Sequence, residues 1–176
     1  MFSSPIFWIA LALALFWAVG AYNRLVRLRS AVLQAFGGLD AHFVRLLAML
    51  AEYDAAQAGA PAQSLREALQ AAATQFTASL AVARARPLHA DAAAALSTAL
   101  TVLEAAWAGT EHPDPPPPPP GPAVPPWAQR WEQHAAQNTP AIVQFNDAVA
   151  QYNAAIAQFP AQLLAWLFGF QAARAL

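Results

Sequence analysis

Residues 6–22 read IFWIALALALFWAVGAY, and no charged side chain occurs from Met1 to Asn23. An α-helix needs about 20 apolar residues to cross roughly 30 Å of hydrocarbon, and residues 2–22 supply that length. Lipid offers no hydrogen-bond partners, so the backbone of such a segment must pair with itself and become helical. Trp8, Trp17 and Tyr22 lie near the ends of the run, where aromatic rings anchor a span at the two interfaces. Nothing basic precedes it, and Arg24, Arg27 and Arg29 follow at once. The positive-inside rule then predicts a single-pass anchor over residues 1–23 with the rest of the chain in the cytoplasm. The same arginines suit anionic headgroups, at about 1 kcal/mol each near the surface. A cleaved signal peptide is the competing reading, with Ala18-Val19-Gly20 as its small-residue site. The missing basic start argues against it.

The rest of the 176-residue chain fits a lipid-associated helical protein. Charged residues make up only 11% against 58% apolar, where soluble domains carry about 25% charged. All nine cations are arginine, and ten acids leave a net charge of −1. That balance offers no electrostatic footprint for nucleic acid. Cysteine is absent, which removes disulfides, thiolate nucleophiles and cysteine-based metal sites.

Beyond the anchor, Val32, Phe36, Leu39, Phe43, Leu46, Leu50 and Tyr53 recur at alternating spacings of four and three. That is the heptad stripe of a helix packed lengthwise in a bundle or coiled coil. Ala58-Gly59-Ala60-Pro61 ends it. Ser64-x-x-Glu67 predicts a capping box opening a second helix, with stripe Leu65, Leu69, Ala72, Phe76, Ser79 and Ala83 and a stop before Pro87. A third helix is expected from near Asp91, with Leu96, Leu100, Leu103 and Trp107 inward. Residues 24–110 thus hold three bundle helices. Residues 111–126 follow as a stiff polyproline linker, since proline lacks the N–H that a helix uses. The last long helix covers residues 127–160, with stripe Ile142, Phe145, Val149, Tyr152, Ile156 and Phe159. Pro140 should kink or split it, with Thr139 capping the second piece. Residues 161–176 form an apolar tail.

No segment alternates with period two, so the expected class is all-α. An N-terminal transmembrane helix continues into an antiparallel, up-down bundle of about four helices. Residues 24–57 and 127–159 are each about 50 Å long at 1.5 Å per residue, which returns the last helix toward the membrane. Trp166, Phe168 and Phe170 in the tail then either cap the bundle or dip into the interface.

Two blocks carry a family resemblance. The first is Tyr22-Asn23-Arg24-Leu25-Val26-x-Leu28-Arg29, with Ala35-Phe36 and Leu39-Asp40, directly after the apolar run. The second is Phe145-Asn146-x-x-Val149-x-x-Tyr152-Asn153-x-x-Ile156-x-x-Phe159-Pro160, ending in Leu167-Phe168-Gly169-Phe170. In this order they resemble the LemA family over roughly 70 residues. The resemblance implies an anchored helical bundle at a bacterial inner membrane, with no settled activity and no catalytic residues to carry over. The apolar stretch Ala41-His42-Phe43-Val44-Arg45-Leu46-Leu47-Ala48-Met49-Leu50, the polyproline insert and Pro140 depart from the family pattern.

The sequence holds no recognisable catalytic constellation. His42, His89, His112 and His134 are scattered, and neither His-Glu-x-x-His nor Glu-x-x-His occurs. Those spacings put two ligands on one helical face. Phosphate-cradling glycine loops and a Gly-x-Ser-x-Gly elbow are also missing. No catalytic, cofactor-binding or metal-ligating residue is therefore assigned, and no cofactor is expected. The remaining partners are the lipid bilayer and either an unidentified protein or a second copy. Asn146 and Asn153 lie seven apart on one helix face and fit register-setting hydrogen bonds within the bundle, or a polar groove for a partner helix. In an antiparallel arrangement Asn146 is level with Gly37 and Gly38, where missing side chains would let helices approach closely. The alanines at 92–95 offer an exposed small-residue face, and the polyproline reads as a spacer. Interaction scaffold or assembly factor is the leading function, with membrane-organising self-assembly or a released periplasmic domain as alternatives.

Overall fold

A computed structural model of the chain describes residues 5–59, 63–110, 126–159 and 161–176. Pro61, His112, the polyproline at 115–120, Pro125 and Pro160 lie outside the described residues. Five helices follow one another: α1 (Pro5–Ala56), α2 (Gln63–Ala85), α3 (Ala90–Ala108), α4 (Trp127–Ala157) and α5 (Ala161–Phe168). Among the described residues there is no strand.

The apolar run and the first heptad stripe share one continuous rod of 52 residues, about 78 Å long at 1.5 Å per residue. Its heptad stripe is the organising feature of the core. All seven stripe residues from Val32 to Tyr53 are buried, and Leu25 and Met49 join them. Burying a side chain of this size contributes roughly 1.5–3 kcal/mol. The rod's apolar start, residues 5–23, has no such packing. No residue of its most apolar window is buried, and Ile6, Phe7, Ile9, Leu13 and Phe16 stand exposed.

Numbers that rise along α1 meet numbers that fall along α4. Arg24 bonds Gln158, Phe36 meets Phe145 edge-on at 5.9 Å, and Glu52 pairs with Arg130 at 2.6 Å. The same reversal relates α1 to α2, through Asp40 with Arg84, Phe43 with Phe76 and Asp54 with Arg66. The Arg66 hydrogen bond holds the Asp54 carboxyl below its ordinary value. Away from the apolar end of α1, an aromatic cluster ties three helices together. Tyr53 contacts Trp107 and Trp127, and Trp107 stacks on Trp131 at 4.7 Å.

Several expectations need correction. Ser64 lies inside α2 rather than capping it, because the helix already begins at Gln63. Leu65 is 41% exposed and Leu80 is buried in the seam beside Ala83, with Ser79 only half-buried. Ala92 and Ala93 face inward, not outward, because α3 packs against α2. α4 runs unbroken through Pro140. Thr139 does not cap; its hydroxyl donates to the Ala135 carbonyl one turn back. The missing Pro140 N–H leaves the Ala136 carbonyl without its helical donor, and Ala136, Thr139 and Pro140 border an open hollow where water can reach them. Phe159, assigned to the buried stripe, is 80% exposed because α4 has already ended at Ala157.

Candidate functional site

Four features converge where the apolar half of α1 meets the rest of the protein: the end of α4, helix α5, the segment after it and the α2–α3 turn. Trp8, Trp17 and Tyr22 are all exposed along α1. Arg24 donates to Gln158, Arg27 is exposed, and Arg29 borders a hollow. Asp40 does not join these arginines, since it is engaged by Arg84.

Residues 161–168 form a helix that composition did not distinguish from a plain apolar tail. A Schellman stop ends it. The Phe170 N–H bonds the Ala165 carbonyl, the Gly169 N–H bonds that of Trp166, and Gly169 has φ +69°. Glycine adopts that left-handed conformation without a Cβ penalty. Leu163, Trp166, Leu167 and Phe168 are exposed, Trp166 by 83%. The end of the helix meets α1, where the Tyr22 ring lies 5.0 Å from that of Phe168 and 6.2 Å from that of Phe170 just beyond it. Phe170 packs against the core, so only that member of the Trp166–Phe168–Phe170 set serves as a cap.

After Gly169 the chain has no regular secondary structure and turns back along α4, held by both predicted asparagines. Asn153 donates from its amide nitrogen to the Ala173 carbonyl and accepts the Ala173 N–H. Asn146 does the same for Leu176, at 3.1 and 2.9 Å. The spacing accounts for the pair. Seven helical residues advance about 10.5 Å, and three extended residues advance about 10 Å. Two asparagines a heptad apart therefore match every third residue of a strap. Their partner is the chain's own tail, not Gly37 and Gly38. A Cβ added at either glycine would meet nothing within 4 Å, so no close helix approach within the chain depends on them.

Between α1, the α2–α3 turn and the strap lies an open hollow of about 340 Å³. Arg29, Arg86 and His89 line it together with Tyr152, Phe168 and Phe170, and no carboxylate does. Asp91 lies 3.8 Å from the His89 Nδ1, with a side chain 94% exposed. Sequence reasoning singled out Arg29 but missed Arg86, because only the turn at Pro87 brings the two together.

Far from this end, burial and the nearby Arg130, Arg45 and His42 push the His134 imidazole below its ordinary value. Asn138, also unforeseen, is buried with its Oδ1 unpaired among the described residues. Among those residues no group of three histidine or acidic side chains could hold a metal ion. No family model, curated protein or solved structure matches this chain.

Proposed function

We propose that the chain is a non-enzymatic, single-pass membrane protein of LemA type, with α1 as its anchor and its helices as an up-down-up-down scaffold in the cytoplasm. The observation that carries this reading is the first half of α1. Its residues 5–23 carry no charge and its most apolar window has no buried residue, the kind of contiguous exposed apolar surface that marks a membrane or protein contact. Reversed contacts of α1 with α2 and α4 support the up-down order. α5 adds a second apolar face at the same end, suited to lie in the interface plane beside Tyr22. A protein partner would use the helical body beyond it.

The test is alkaline extraction of membranes carrying the full-length protein, with sequencing of its N-terminus. Retention of an uncleaved chain is expected. Release into the supernatant, or a mature chain beginning near Ala21, would refute the anchor.

Self-assembly is the second reading, favoured by the open space at Gly37 and Gly38. Crosslinking in native membranes separates the two: a ladder of the protein with itself supports self-assembly, and one foreign partner supports the scaffold.

A further inference from the structure

We propose that the hollow between Arg29, Arg86 and His89 binds the phosphate of an anionic phospholipid headgroup. Its acyl chains would run along the exposed apolar faces of α5 and α1. This rests on the membrane anchorage proposed above and assigns that end of the protein a specific ligand.

Three independent observations converge on a phosphate. The lining holds two arginines and a histidine without a carboxylate. Among the described residues neither Arg29 nor Arg86 has an ion-pair or side-chain hydrogen-bond partner. Guanidinium groups bind phosphate oxygens in pairs of parallel hydrogen bonds, and these two are free to do so. The third is α3, which starts at the rim. His89 is its N-cap and makes no side-chain cap bond, and the one acid of that first turn, Asp91, has a side chain 94% exposed to solvent.

Position argues for a lipid as the phosphate's source. Phe168 forms one wall of the hollow and also contacts Tyr22 at the end of the apolar run. Arg29 lies seven residues beyond Tyr22, about 10 Å along the rod. A headgroup layer is roughly 5–8 Å deep on each side of the hydrocarbon. An arginine side chain reaching back toward that layer closes the gap. A diester phosphate in the hollow would meet the guanidinium groups together with the apolar rings of Phe168 and Phe170. That combination fits an amphiphile better than a free anion.

The test uses full-length protein in a neutral maltoside detergent, titrated with short-chain phosphatidylglycerol or phosphatidylcholine and read by ³¹P line broadening. Saturable broadening is expected with phosphatidylglycerol and not with phosphatidylcholine. Arg86→Gln should weaken binding roughly fivefold and Arg29→Gln/Arg86→Gln at least tenfold, the size of one and two arginine–headgroup contacts. Arg45→Gln, which removes the same charge outside the hollow, should leave affinity unchanged. Circular dichroism verifies that each variant keeps its helix content. Equal binding of the two lipids, or equal loss in Arg45→Gln and Arg86→Gln, would overturn the site. Displacement by equimolar inorganic phosphate would assign it to the free anion and overturn the lipid. The alkaline extraction reads the anchor separately: a protein that washes out yet distinguishes the two lipids fails only the anchor reading.

Discussion

Asn153 makes two hydrogen bonds to a single residue of the strap, and that doubles what one substitution removes. Each neutral bond contributes about 0.5–1.5 kcal/mol, so Asn153→Ala should cost about 1–3 kcal/mol. The loss should be local. Hydrogen exchange at Ala173 and its neighbours should speed up while the buried stripe of α1 stays protected, and unchanged exchange at Ala173 would show that the strap does not depend on the clamp. His134 makes a different prediction. Its imidazole is held below its ordinary value of 6.5, chiefly by burial, so the folded state binds a proton less readily than the unfolded chain. Its contribution is complete above about pH 6.5 and falls as pH drops from there toward the folded value. Thermal midpoints on either side of pH 6.5 should show a drop on the acid side that His134→Gln reduces. Because the side chain is only partly shielded, solvent limits the effect.

At the scale of elements, α4 carries a proline that its neighbours tolerate. Pro140 is exposed and its turn faces an open hollow, so the helix stays continuous without that N–H. Proline in a helix interior is about 3 kcal/mol less favourable than alanine. Pro140→Ala should therefore raise stability, by about 1–3 kcal/mol, and a denaturation midpoint that falls would mean the proline has a packing role. α5 is the opposite case, a short helix of high apolarity with few internal contacts. It is defined by its Gly169 stop and by Tyr22 rather than by a heptad, which is why its residues read only as an apolar tail.

The molecule as a whole divides into a packed body and an unpacked apolar run, residues 5–23, that share a single helix. Phe43 is fully buried and meets Phe76 across the α1–α2 seam at 5.0 Å. Phe43→Ala should cost about 3–5 kcal/mol. Phe16, 82% exposed on the same helix, should change stability by no more than about 0.5 kcal/mol when replaced by alanine. Measured in detergent, comparable losses from both would show that the apolar half packs on the body.

The helices and the uncharged run were legible in the amino-acid order because both are local properties. A charge-free stretch and a three–four spacing act through desolvation and helical period, which need no knowledge of distant residues. The stripe from Val32 to Tyr53 accordingly came out buried throughout. Local pattern erred where two faces competed, as at Leu65 and at Ala92, since period alone does not say which flank of a helix a neighbour covers. The asparagine clamp and the arginine hollow were decided only by tertiary structure. The residues that Asn153 and Asn146 hold are 20 and 30 positions further along the chain, and Arg29 meets Arg86 only because the α2–α3 turn returns to α1. Hydrogen-bond partners and charge clusters of that kind depend on register between elements, which is set by how whole helices pack.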